Sequence, residues 1–121
     1  MKTLRRLWPM ALALLVLSAA VQAHHSTAMF DRAKVLKLAG TVKEFYFANP
    51  HCAIQLVVTG AGGAVENWNV EMGAPAHLLR SGWKRNTIKV GDRITVDLNP
   101  ALDGSKYGLY LSATGPDGKA L

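Results

Sequence analysis

Apolar and polar residues alternate in short runs over most of the chain, a pattern typical of β-strands. Turn residues separate five such runs, which predict strands over residues 35–47, 53–59, 65–72, 93–98 and 108–114. In the third run Trp68, Val70 and Met72 fall on one face, so we expect them in the core. Gly40 interrupts the first run and predicts a bulge or bend there.

One short segment departs from this alternation. Pro75 stands where the first turn of a helix tolerates proline, and Gly82 ends the segment, so residues 74–82 predict a helix of about two turns. The order is then three strands, a helix and two strands. It favours a mainly β fold, a small five-stranded OB-like Greek-key barrel with the helix between strands 3 and 4. A small open β-sandwich and an SH3-like barrel are the alternatives.

The start of the chain differs in composition from the rest. Basic residues precede an apolar run, and small residues follow it: Lys2, Arg5 and Arg6, then residues 7–17, then Val21-Gln22-Ala23. This pattern predicts a signal-peptide helix, cleaved before His24, and therefore a periplasmic or secreted protein. A retained anchor is the alternative, although the apolar run is shorter than the roughly 20 residues of a membrane span. The expected organisation is a signal peptide (1–23), an N-terminal arm (24–34) and a barrel domain (35–121).

Export changes the charge and the partners to be expected. The signal peptide contains three of the 14 basic residues and none of the 8 acidic ones, so residues 24–121 carry a net charge of +3. These charges are spread along the sequence without a basic run, and nucleic acid is therefore not an expected partner. No later segment is long and apolar enough to span a membrane. Cys52 is the only cysteine, which excludes an intrachain disulfide and favours a buried apolar role.

Histidines are the candidate ligands of this sequence. After the predicted cleavage His24 is the first residue, and its α-amine and imidazole Nδ1 can chelate one metal ion. A further imidazole completes a set of three nitrogens that suits Cu(II). His51, which follows Asn49-Pro50 at the tip of the first hairpin, is the predicted third ligand, and His25 is an alternate. The terminal histidine resembles the histidine brace of exported copper proteins such as polysaccharide monooxygenases and small copper-resistance proteins.

Short motifs over nearly all of residues 24–121 resemble a family of small exported bacterial proteins, a domain of unknown function. In order they are His24-His25-Ser26, Phe30-Asp31, Gly40-Thr41-Val42, Glu44-Phe45, Asn49-Pro50-His51, Trp68 with Glu71, Leu78-Leu79-Arg80, Gly82-Trp83, Val90-Gly91-Asp92 and Pro116-Asp117-Gly118. The resemblance implies an exported domain without an established activity. It also places the HHS start and the NPH turn in one pattern. Phe47 stands where the family pattern would have Trp, a conservative difference.

These observations favour a binding domain over an enzyme. The expected function is an exported domain that binds copper through its terminal histidine, with a metal ion and another periplasmic protein as partners. One alternative is a metal-free OB-like module that holds a protein, glycan or small ligand with Trp68 or Trp83. Another is a copper oxidase or monooxygenase. The sequence contains no HExxH, CxxC, GxSxG or phosphate-loop motif, and Glu71, between two core positions, is expected in solvent.

Overall fold

The structure, a computed structural model, describes residues 27–121. The predicted signal peptide, His24 and His25 lie outside the described residues. Strands and a helix follow in the predicted order: β1 (Leu36–Tyr46), β2 (Ala53–Thr59), β3 (Val65–Glu71), α1 (Pro75–Arg80), β4 (Arg93–Pro100) and β5 (Tyr107–Thr114). A single 3-10 turn, Ala61–Gly63, joins β2 to β3.

The strands form a closed barrel in the order β1-β2-β3-β5-β4, with β4 paired to β1. The β3–β5 pair is parallel, over residues 69–71 and 107–109, and the other pairs are antiparallel. This arrangement, with a helix between the third and fourth strands, is the OB architecture. The predicted fold class is therefore confirmed. Within residues 27–121, no helix has the length and apolar character that a membrane crossing requires.

Alternate strand residues fill the interior of the barrel, as the period of two along a strand requires. Trp68, Val70 and Met72 are all buried, so their predicted place in the core is confirmed. Cys52 is also buried and free, and burial raises the pKa of its thiol. Trp83 lies in the same core and donates its backbone N–H to the carbonyl of Leu78 in α1, at 3.0 Å.

The irregularity of β1 is not at Gly40, and the predicted bulge there is wrong. Gly40 pairs regularly with Ile94, whereas the register with β2 shifts between Val42 and Glu44. Glycine is required here for lack of space, because a Cβ at this position would lie 2.6 Å from the carbonyl oxygen of Val57. The chain is too close there for any side chain.

The segment before β1 is attached to the barrel. Phe30 is buried and forms a β-bridge with Ala101. The backbone N–H of Asp31 donates to the carbonyl of Pro100 at 2.8 Å, and the buried Asn99 side chain donates to the carbonyl of Lys34 at 2.7 Å. These contacts hold residues 30–34 against the end of β4 and the loop that follows it.

Candidate functional site

His51 lies in the connection between β1 and β2, as the sequence predicts, and its side chain is 49% exposed. Hydrogen bonds fix the end of this connection to the end of β3: the Cys52 N–H donates to the carbonyl of Gly73, and the Met72 N–H donates to the carbonyl of Cys52. The β2–β3 register also pairs Ala53 with Glu71. The fold therefore brings His51 beside the last residue of β3.

Glu71 is mostly buried, with 15% of its side chain exposed, so the expectation of a solvated carboxylate is wrong. One carboxylate oxygen, Oε1, lies 3.7 Å from Nδ1 of His51. The other, Oε2, accepts a hydrogen bond from the hydroxyl of Tyr107. Glu71 thus links a ring nitrogen on one side to a phenol on the other, which offsets the cost of removing a carboxylate from water.

Tyr107 is the first residue of β5, and the parallel pairing with β3 carries it to Glu71. Burial, followed by the hydrogen bond to Glu71 and the charge of that carboxylate, raises the pKa of Tyr107 to about 12. The phenol therefore stays protonated and donates at neutral pH. Its ring packs against Phe30, with ring centroids 5.2 Å apart, so Phe30, Tyr107, Glu71 and His51 form one contiguous group, which we term the His51 cluster.

The Glu71 carboxylate influences which nitrogen of the His51 ring is free to bind a metal ion. A carboxylate beside Nδ1 favours the tautomer that carries its proton on Nδ1, and Nε2 then has a free lone pair. Metal-binding histidines commonly show this arrangement, with one ring nitrogen on the metal and the other facing a carboxylate. The cluster therefore supplies an imidazole suited to a metal together with a nearby negative charge.

The described residues do not complete a metal site on their own. Among residues 27–121 no group of three or more His, Cys, Asp and Glu side chains is placed to hold a metal ion. His77 is exposed on α1, with its ring beside Gly73, and Met72 is in the core. His24 and His25, the other predicted ligands, precede the described residues.

Two clefts lie outside the cluster. One, of about 400 Å³, is bounded by α1, Trp83, β5 and the side chain of Leu121. The other, of about 340 Å³, lies between the N-terminal arm and the β4–β5 loop, with Trp68 in its wall. Both tryptophans are almost fully buried, so neither presents an exposed ring for stacking a ligand. The Trp68 indole N–H donates to Glu66 at 2.9 Å.

Sequence reasoning missed Glu71 and Tyr107 as members of the site. Tyr107 directly precedes the predicted strand 108–114, and Glu71 follows the alternation of a strand with one solvated face. One signal for Glu71 was available in the sequence. The predicted hairpin of the second and third strands places the end of the third strand, where Glu71 lies, near His51. The parallel partner strand that covers it has no signature in local sequence.

Comparison with known proteins adds the following. Residues 12–112 match the model of a family of unknown function, DUF6152. A search of curated proteins found no match. Two crystal forms of Rim1, a mitochondrial single-stranded DNA binding protein from S. cerevisiae, are similar in fold, each with a TM-score of 0.52. Their sequences are 10% and 7% identical to this one. Each similarity covers 68% of this chain, and it covers 92% and 91% of the two Rim1 chains.

At such low identity this likeness concerns the fold alone, and it agrees with the barrel topology. The family match spans most of the sequence, and the predicted resemblance to a family of unknown function is confirmed. The chain belongs to the family of unknown function DUF6152.

Proposed function

We propose that this protein is an exported domain that binds copper. In this proposal the α-amine and imidazole of His24 hold Cu(II), His51 supplies the third nitrogen, and His25 is an alternate ligand. The observation that carries it is the environment of His51, whose ring is half exposed and has Nδ1 directed toward the Glu71 carboxylate. That arrangement leaves Nε2 for a metal ion.

The length of the N-terminal arm is compatible with this ligand set. Phe30 packs on Tyr107, Tyr107 bonds to Glu71, and Glu71 lies beside His51. His24 precedes Phe30 by six residues, and a chain of that length extends at most about 20 Å. Phe30 belongs to the His51 cluster, so the arm starts at the cluster, and the helical turn at Thr27 and Ala28 makes its reach shorter than this limit.

The charge of the cluster also suits a cation. The Glu71 carboxylate faces Nδ1, the ring nitrogen that is not used for the metal, and it accepts a hydrogen bond from Tyr107. Outer groups of this kind orient a ligand and raise its basicity. When bound, Cu(II) would take nitrogen ligands in a plane, which a terminal amine and two imidazoles provide.

The experiment compares four forms of the protein by Cu(II) titration, followed through the ligand-field spectrum. They are the form that begins at His24, a form with one added residue before it, His24→Ala and His51→Ala. The added residue converts the amine into an amide without a basic lone pair while leaving every imidazole in place. We expect affinity to fall strongly in the extended form and in both variants. His77→Ala, on α1, is the matched control and should bind as the wild type does.

Each other outcome has a defined meaning. Equal affinity of the processed and extended forms would rule out the terminal chelate. Unchanged affinity in His51→Ala would remove the turn from the site and leave only the terminal histidines. Mass spectrometry of the exported protein tests the premise, since the proposal requires His24 to be the first residue.

A metal-free binding module is the second candidate, favoured by the cleft beside Trp68. The cleft has a ligand-sized volume of about 340 Å³ and contains both apolar side chains and Lys34, Ser105 and Lys106, a mixture typical of small-molecule sites. A processed protein that binds no Cu(II) but whose amide NMR signals around this cleft shift with a ligand would favour this function.

A further inference from the structure

The positive charge of the protein is concentrated in one segment, although the sequence shows no continuous basic run. Residues 80–93, from the end of α1 to the start of β4, contain five basic side chains and one acidic side chain, Asp92. The remainder of residues 24–121 contains six basic and seven acidic side chains. The net charge of +3 therefore arises from this segment.

The fold lays this segment along the second half of β1. Arg93 pairs with Thr41, and Val42 exchanges backbone hydrogen bonds of 2.8 Å with Gly91 and Asp92. Farther along, the guanidinium of Arg85 lies 5.4 Å from the ring centroid of Phe47. The register shift of β1 adds an exposed lysine to the same region. We call the resulting row of exposed cations the basic strip: Lys43, Arg80, Lys84, Arg85, Lys89 and Arg93.

The cations of the basic strip have no counter-charge within the described part of the chain. The ion pairs among residues 27–121 involve Lys37, His51 and Lys106, and residues 1–26 contain no Asp or Glu. The Asp92 carboxylate accepts the backbone N–H of Lys89 at 2.9 Å. Since no carboxylate lies within 4.0 Å of a cation of the strip, the strip is available to an external anion.

Aliphatic side chains project beside these cations. Val90 is 73% exposed next to Lys89, and Leu79 is 55% exposed next to Arg80. Of the aromatic rings near the strip, Phe47 and Trp83 are buried and Tyr46 is 45% exposed, so the strip has one ring for stacking rather than a series for successive bases. Exposed cations with adjacent aliphatic groups suit the headgroup region of an anionic bilayer, whereas binding of single-stranded nucleic acid generally uses exposed aromatic rings.

We infer that the basic strip docks the protein on an anionic phospholipid surface. The attraction acts within about 10 Å at ordinary ionic strength, so the cations must come close to the headgroups. Val90 and Leu79 then enter the interfacial layer while the rest of the barrel stays in water. Docking does not involve the His51 cluster and does not depend on copper.

The test is co-sedimentation of metal-free protein, in EDTA, with vesicles at low ionic strength. One set contains phosphatidylglycerol in phosphatidylcholine, and the other contains phosphatidylcholine alone. The wild type should bind only the anionic set and be released at high salt. Lys84→Gln/Arg85→Gln should lower the partition coefficient at least about tenfold, because each basic residue near such a surface contributes severalfold. Arg32→Gln/Lys119→Gln is the control for net charge and should bind nearly as the wild type does.

Several results would overturn the inference. These are equal binding to both vesicle sets, insensitivity of the wild type to salt, and equal losses in the two double variants. Binding of a single-stranded oligonucleotide that depends on Lys84 and Arg85, without vesicle binding, would assign the strip to nucleic acid instead. The substituted side chains are exposed, and melting curves would show that each variant is folded. The salt series on the wild type tests the inference independently of any variant.

Discussion

Glu71 has the central position in the His51 cluster because its two carboxylate oxygens face different partners. Tyr107 donates to one oxygen and His51 approaches the other. A carboxylate with only 15% of its side chain in water is costly unless such partners are present. The carboxylate beside Nδ1 favours the tautomer of His51 that carries its proton on that nitrogen.

Glu71→Gln is therefore expected to weaken Cu(II) binding about 10- to 100-fold, as loss of an outer carboxylate typically does. The matched control is Glu66→Gln, which removes a carboxylate bonded to Trp68 and Lys106 instead. Nitrogen NMR of the metal-free protein gives a second measurement, since the Nδ1 and Nε2 signals of His51 report its tautomer. An unchanged tautomer and unchanged affinity in Glu71→Gln would show that the carboxylate does not act on His51.

The raised pKa of Tyr107 predicts how stability changes in alkali. Its folded pKa is about 12 against an ordinary value of 10.0, so its contribution is fully present below pH 10 and is lost as the pH rises from 10 toward 12. Urea unfolding at pH 9 and pH 11 should show a smaller loss of unfolding free energy in Tyr107→Phe than in the wild type. Equal losses in the two proteins would contradict the assignment.

At the scale of elements, alternation along the chain predicts every strand, and the positions of Pro75 and Gly82 predict the helix. β2 has the predicted bounds, since a hairpin turn limits it on either side. Differences occur where tertiary pairing extends a strand: β4 continues to Pro100 because Pro100 pairs with Gly108. The candidate site was less accessible to sequence reasoning. The exposed position of His51 follows from its place in a turn. Tyr107, in contrast, reaches Glu71 through the parallel β3–β5 pairing, which joins residues far apart in sequence.

The close contact of β1 with β2 at Gly40 gives a prediction for these elements. Gly40→Ala should lower the free energy of unfolding by about 1–3 kcal/mol, the usual cost of overpacking. The added Cβ would meet the Val57 carbonyl oxygen at 2.6 Å and Leu56 Cγ at 2.7 Å, and the backbone atom cannot rotate away. Urea denaturation measures the change. Ala39→Gly, at the exposed neighbouring position, controls for the effect of glycine on strand propensity.

A wild-type unfolding midpoint in Gly40→Ala would mean that the two strands can separate at no cost. The close approach at this point would then not be needed for barrel closure.

At the scale of the whole molecule, the position of the N-terminal arm separates the two proposals. Its contacts join the end of β4 to Tyr107 through Phe30 and Lys34. The basic strip, in contrast, accompanies the second half of β1, beyond the β1–β4 pairing at Thr41 and Arg93. The two proposals therefore concern separate regions of one barrel, and a change in the arm should affect copper binding without affecting docking on vesicles.

Phe30→Ala tests this separation. Phe30 is 3% exposed, and truncating a buried phenylalanine costs about 3–5 kcal/mol, so urea denaturation should show a large loss of stability. Under conditions where the variant is still folded, Cu(II) affinity should also fall, because the arm that carries His24 is no longer held on Tyr107. Met29→Ala, at the exposed neighbouring position, should change neither quantity. If Phe30→Ala lost stability but bound Cu(II) with full affinity, anchoring of the arm would contribute to the barrel alone and the copper site would not depend on it.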